Sequence, residues 1–250
     1  MCMKKINWKI VAAVITAVLL VLVAGFVFWA SDASAATDVA LQALNSDSKV
    51  NVSAENGWVI FTPAENSRPE TGFIFYPGGK VDYRAYAPIL KMISAKGYFV
   101  AVVPVPLNLA FFDINAASRV EAAYPEVKNW FVGGHSLGGV AASSYAASHE
   151  EIRGVVFWAS YPADDSLKTK SIPAVSIYGT NDGLATDDKL DASKALLLEG
   201  TKFVPIDGGN HAQFGSYGPQ AGDNEATISP EDQWIQATDA TVAFFAEVLK

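Results

Sequence analysis

Val132-Gly133-Gly134-His135-Ser136-Leu137-Gly138-Gly139-Val140, VGGHSLGGV, crowds four glycines around one serine. Before it, Asn129–Gly133 is a short apolar run with the character of a strand. After it, Gly139–Ala147 is rich in alanine and reads as a helix. A flexible linker has no reason to sit between two such elements. A tight corner does, because glycine accepts backbone conformations and close approaches that side chains forbid. The corner would hold the Ser136 hydroxyl out at the end of a strand.

The rest of the chain supplies the setting for that corner. Half of its 250 residues are apolar, enough for one medium domain and an appendage. The appendage is N-terminal: Lys4, Lys5 and Lys9 precede an uncharged run from Ile10 to Ala30. A bilayer core takes about 20 apolar residues as a helix, whereas the apolar part of a signal peptide is roughly 7–15 long. Length therefore favours an uncleaved membrane anchor. Ala33-Ser34-Ala35-Ala36, of the A-x-A kind, keeps a cleaved signal and a secreted domain as the alternative. The lysines before the span predict a cytoplasmic N-terminus and an extracytoplasmic remainder.

Beyond Ala30 the chain has 15 basic against 26 acidic residues, a net charge of −11. Such a surface argues against a nucleic-acid partner and carries no basic patch for anionic lipid. Cys2 is the only cysteine, so the domain beyond the span has no disulfide, no thiol nucleophile and no cysteine metal ligand.

Residues 1–30 are thus expected to be the membrane segment, 31–48 a tether or a short leading helix, and 49–250 the domain. Lys49–Val52 and Trp58–Phe61 flank the hairpin signal Asn56-Gly57. Gly72–Tyr76, Tyr98–Val103, Asn129–Gly133, Val155–Ala159, Ala174–Tyr178 and Lys202–Ile206 complete eight strands. Helical patterns fall at Tyr83–Ala95, Asn115–Tyr124, Gly139–Ala147, Asp188–Leu198 and Glu231–Leu249. Continuous apolar strands alternating with helices predict an α/β fold, a mostly parallel sheet covered on both faces. Functional groups then collect at the carboxyl ends of the strands.

Gly134-His135-Ser136-Leu137-Gly138 fits G-x-S-x-G in the strand–turn–helix setting that this motif requires, making Ser136 a candidate nucleophile. A serine hydroxyl needs a base. Of the three histidines, His135 lies inside the corner and His149 ends the following helix, which leaves His211 after the eighth strand. A carboxylate must orient that imidazole. Asp182, after the seventh strand, is favoured by the order Ser…Asp…His, with Asp207 as the rival. For a developing oxyanion, the backbone N–H of Leu137 is one expected donor. The loop Tyr76-Pro77-Gly78-Gly79-Lys80 offers the other, with Gly79 first and Lys80 second.

On these residues and their placement after strands five, seven and eight, the chain from about Lys49 onward resembles the α/β-hydrolases. It is most similar to the compact, lid-poor branch near dienelactone hydrolases and bacterial serine esterases, some of them membrane-anchored. Ser136 stands where dienelactone hydrolases carry cysteine, and Pro77-Gly78 replaces the common His-Gly before the oxyanion loop. The resemblance implies a serine hydrolase that cleaves small or medium acyl esters through an acyl-enzyme, with no cofactor and no metal. Thioesterase, lipase or amidase chemistry would use the same parts, and a non-catalytic binding domain is the rival from another class. The expected partners are a small acyl ester and, through the N-terminal helix, a membrane; no protein partner is evident.

Ser160–Pro173 is too short for a cap domain. Ala212–Ser229 is long for a connection, and such loops tend to be functional. Its Phe214 and Tyr217 are candidates to wall a pocket, and its Asp223 and Glu225 are either cation ligands or solvated acids. Phe111 and Phe112 are expected either in an acyl pocket or in the core.

Overall fold

The structure, a computed structural model, describes residues 7–65 and 69–250. β1 (Val50–Glu55) and β2 (Trp58–Pro63) turn on Asn56 and Gly57, both with positive φ (51° and 88°), as a two-residue hairpin demands. β3 (Thr71–Tyr76), β4 (Phe99–Val102), β5 (Asn129–His135), β6 (Ile152–Trp158), β7 (Ala174–Gly179) and β8 (Lys202–Ile206) complete one sheet. The spatial order is β1-β2-β4-β3-β5-β6-β7-β8. β2 runs antiparallel to both β1 and β4, and every later pairing is parallel. The expected eight-stranded, mostly parallel sheet is what forms.

Ahead of the sheet lie α1 (Trp8–Ser31) and α2 (Asp38–Ala43). The others are α3 (Ala87–Ser94), α4 (Ala116–Ala123), α5 (Leu137–Ala146), α6 (Ser166–Thr169), α7 (Asp187–Ser193) and α8 (Pro230–Val248). Alternate strand residues feed two cores. Phe73, Phe75, Phe131 and Trp158 join α3 and α8, while Ile74, Tyr76, Val132 and Phe157 join α4 and α5. Burial on both faces is why these strands read as unbroken apolar runs rather than as alternation.

Several elements differ from expectation. The helix expected at Tyr83 opens as a 3-10 turn (Tyr83–Tyr86) before α3, whose second residue is Pro88. The pattern at Asp188–Leu198 breaks into α7 and a 3-10 turn (Lys194–Leu196). α5 begins at Leu137, directly after the serine. Residues 31–48 are not a free tether. α2 packs on α3 with Ala40 fully buried, and Ser34 forms a parallel bridge with Val81. Ser34 donates to the carbonyl of Lys80 (2.8 Å), and its own carbonyl accepts from the N–H of Asp82 (2.9 Å). α1 is long and apolar enough to cross a membrane, and its side chains are largely exposed.

α8 closes the sheet through Phe245, whose ring centroid lies 4.4 Å from Phe131, 5.1 Å from Tyr98 and 5.3 Å from Phe73. Removing a buried aromatic from such a cluster costs about 3–5 kcal/mol in lost transfer energy and cavity. Phe245→Ala should therefore lower the urea-unfolding free energy by about that much. A loss under about 1 kcal/mol would mean that α8 is not packed as described.

Candidate active site

Ser136 joins β5 to α5 with φ 50° and ψ −120°, a conformation that costs a non-glycine residue about 1–3 kcal/mol. Its neighbours hold it there. The Ser136 N–H donates to the carbonyl of Trp158 (3.0 Å), and its carbonyl accepts from the Ser160 hydroxyl (2.6 Å) and the Gly139 N–H (3.1 Å). A Cβ on Gly134 would overlap the backbone of Gly138, and one on Gly138 would overlap the carbonyls of Tyr76 and Pro77. The glycines flanking the serine are therefore required by close approach of chain to chain.

His211 follows β8 on a turn and is almost fully buried. Its Nδ1 donates to Asp182 Oδ2 at 2.8 Å. Asp182 Oδ1 accepts the N–H groups of Leu184 and Ala185, each at 2.7 Å, so the carboxylate is clamped from three sides. The His211 Nε2, on the far side of the ring, has no partner among the described residues. His211 and Ser136 both line a cavity of about 180 Å³, whose walls include Leu137, Ser160, Tyr161 and Leu184. Asp207 is exposed and reaches Thr180, 3.3 Å away, rather than His211. His149 stacks on Tyr145 at 3.8 Å on the α5 side, held by the Tyr145 carbonyl. The sequence-predicted Ser136, Asp182 and His211 are thus brought together, and the two rival residues are not.

The loop after β3 resolves by elimination of donors. Pro77 has no N–H. Gly78 N–H is spent on the Tyr86 hydroxyl (3.0 Å), and Lys80 N–H on the Asn108 carbonyl (2.8 Å). Gly79 alone keeps a backbone N–H without a partner among the described residues, and it packs on Leu137. Leu137, as the first residue of α5, has an N–H with no intrahelical acceptor.

Three residues not expected from the sequence to position the site support this arrangement. Tyr86 accepts from Gly78 and gives its own proton to His135 Nδ1 at 2.9 Å. Burial pushes the Tyr86 hydroxyl well above its usual value, so it remains a donor. Ser160 pins the corner as described. Asp223 joins the two catalytic-side turns: Oδ1 accepts from Gly183, next to Asp182, at 3.0 Å, and Oδ2 accepts from Ala212, next to His211, at 2.8 Å. Asp223 is therefore a backbone clamp rather than a cation ligand, and no metal-binding cluster exists among the described residues. The only signal for such residues in a sequence is a polar side chain in a long loop or an otherwise apolar element.

Two expectations are corrected. Phe214 and Tyr217 are buried, Phe214 stacking on His135 at 5.9 Å, because residues 212–217 fold back onto the core instead of walling the Ser136 cavity. Phe111 and Phe112 are about half exposed, at 52% and 55%, and neither enters the core nor lines the Ser136 cavity.

His135 faces His211 at a ring-centroid distance of 4.4 Å. Burial, and after it the neighbouring His211, hold its imidazole well below the ordinary range, so it is neutral in the native state. Unfolded, it titrates near ~6.5. Between that value and the depressed native one, the unfolded chain binds a proton that the native chain does not. Stability therefore falls as pH falls through this window, by up to ~1.4 kcal/mol per pH unit. His135→Asn, which keeps an acceptor for Tyr86, should flatten that slope in urea titrations between about pH 7 and pH 5. Equal slopes for both proteins would place a protonatable His135 in the native state.

Comparison with known proteins bears on the whole arrangement. Among solved structures, the chain is similar to TT1662 from Thermus thermophilus (14% identity, TM-score 0.57, covering 81% of this chain and 99% of that one). It is also similar to the esterase domain of a Rhodothermus marinus protein (16%, TM-score 0.58, 78% and 96%). A third is Est2, a thermophilic esterase from the planctomycete Thermogutta terrifontis (13%, TM-score 0.55, 80% and 92%). At these identities the likeness is one of fold. No curated protein sequence matches at a significant level. The alpha/beta hydrolase family model, however, matches residues 72–235, from β3 into α8. Since that match spans well over half its length, the chain belongs to the alpha/beta hydrolase family.

Proposed function

We propose that the protein is a serine carboxylesterase that cleaves acyl esters through an acyl-enzyme. The observation that carries this reading is His211. Its Nδ1 is bound to a clamped carboxylate, its Nε2 is unpartnered among the described residues, and the residue shares one cavity with Ser136. Two of the structures that share its fold are esterases, which supports the choice of bond.

The chemistry follows from the placement. Ser136 Oγ attacks the acyl carbonyl as His211 Nε2 takes its proton, and Asp182 stabilises the imidazolium that forms. The N–H groups of Leu137 and Gly79 receive the oxyanion. Collapse expels the alcohol, which takes the proton back from His211. Water, deprotonated by the same nitrogen, then releases the acid and restores Ser136. The cavity of about 180 Å³ is below the ~300–1,000 Å³ of drug-sized sites, so it takes the reacting end of an acyl group beside the serine.

The same reading keeps α1 as a membrane anchor with the domain outside. Trp8 and Trp29 lie 21 residues apart on it, about 32 Å of helix, close to the ~30 Å of a bilayer core. Tryptophans at that spacing mark both interfaces. Cleavage after Ala35 would discard Ser34 and its two hydrogen bonds to the segment following Gly79.

A fluorophosphonate probe should label the wild-type protein at Ser136 and leave Ser136→Ala unlabelled; labelling at another residue would remove the nucleophile assignment. Asp182→Asn should lower turnover by about 10²–10⁴-fold, and Asp207→Asn by a few-fold at most. The reverse ranking, at unchanged melting temperatures, would transfer the acid role to Asp207. For topology, protease added outside intact cells should digest the domain, and the full-length chain should pellet with membranes. A mature chain beginning near Ala36 in the medium would show instead that the span is removed.

A further inference from the structure

We propose that the substrate is a membrane-resident acyl lipid, taken from the leaflet that α1 leaves, and that Phe111 and Phe112 dock the domain onto that leaflet. This rests on the esterase and anchor readings above and adds the substrate class and the direction of approach.

Phe26 lies edge-on to Phe112, ring centroids 6.1 Å apart, and the end of α1 packs on the segment Pro106–Asn108. Phe26 is five residues, about 7–8 Å of helix, before the end of α1 at Ser31. If α1 spans a bilayer, the residue touching Phe26 is at the level of that membrane's outer boundary. Phe111 and Phe112 stand there with half their surface exposed. Two adjacent exposed phenylalanines in water need a reason, and continuity with a membrane helix supplies one.

The same edge carries the oxyanion loop. The Lys80 Nζ sits 4.6 Å from the ring centroid of Trp29 and 4.0 Å from Asp32. Trp29 is the tryptophan at the outward interface, the level at which lipid ester carbonyls lie. Gly79, the free N–H donor, is the residue next to Lys80. A cavity of about 390 Å³ opens between Asp32 and Ser34 on one side, Gly79 and Lys80 on another and Pro219 and Gln220 on the third. Gly79 lines this cavity, so a lipid ester that enters it at the level of Trp29 meets the oxyanion loop first. Tyr76 and Asn108 hold the phenylalanine segment in register with that loop: the Tyr76 hydroxyl donates to the Ile114 carbonyl at 2.5 Å, and Asn108 accepts from Lys80.

The test uses the full-length chain in phosphatidylcholine vesicles that contain a diacylglycerol with a fluorescent acyl chain. Turnover of that lipid is compared with turnover of 4-nitrophenyl acetate added to the same vesicles. Phe111→Ser combined with Phe112→Ser should lower lipid turnover by about tenfold or more and leave the soluble ester within about twofold. A polarity-sensitive dye on Phe111→Cys, in a Cys2→Ser background, should report an apolar setting in vesicles.

Unchanged lipid turnover in the double variant, or a dye that reports water on a chain that floats with the vesicles, overturns the docking. Cleavage of 4-nitrophenyl acetate with no cleavage of the lipid overturns the substrate class and leaves the esterase standing. A chain that does not float removes the anchor reading, and the proposal with it. Cleavage of neither ester, with Ser136 unlabelled by fluorophosphonate, removes the hydrolase reading.

Discussion

The corner at Ser136 is the constraint on which the rest of the molecule depends. A residue with a side chain holds φ 50° and ψ −120° only where its surroundings leave it no alternative. Here the surroundings are three strands. β6 receives the Ser136 N–H, Ser160 after β6 holds its carbonyl, and the end of β3 presses against Gly138. These contacts exist only when β3, β5 and β6 are neighbours in the sheet, as they are. Sheet order and the geometry at Ser136 are one arrangement: a sequence unable to assemble the central strands could not form this corner.

Around that corner the histidines divide the work by environment. His211 has a carboxylate at one nitrogen, no partner at the other among the described residues, and a cavity shared with Ser136. His135, one residue before the serine, has a tyrosine hydroxyl at one nitrogen and is kept neutral by burial. Through Tyr86, this second imidazole reaches Gly78 and so supports the loop that carries Gly79. One ring faces the cavity and the other props the loop across from it.

What could be read from the sequence was whatever is encoded locally. G-x-S-x-G needs its glycines in place, and an aspartate and a histidine after particular strands need only those strands to be recognised. What could not be read depends on distant segments meeting. Asp223 is an acid in a glycine-rich loop until Gly183 and Ala212 are brought to its two oxygens. Phe214 and Tyr217 are loop aromatics until the loop folds inward, and Phe111 and Phe112 are apolar residues like any others until the sheet leaves them outside. That the Lys80 N–H is taken while that of Gly79 is not likewise depends on Asn108, some 28 residues away. Residues 31–48 could be read either as a tether or as a short leading helix, and the helix is what forms. Their Ala, Ser and Thr content looks like a linker, yet small side chains are also what allow Ala40 and Ser34 to lie flush against the domain.

The bridge at Ser34 has a consequence for how such an enzyme finds its substrate. Only Asp32 and Ala33 separate the end of α1 from that bridge, a leash of about 11 Å at full extension. For a chain held by α1, a leash this short removes tumbling as well as diffusion away. If α1 is such an anchor, the domain keeps one face down and sweeps laterally, and its search runs over a surface instead of through a volume. Encounter then depends on the mole fraction of a molecule in the plane, and diluting the surrounding medium changes nothing.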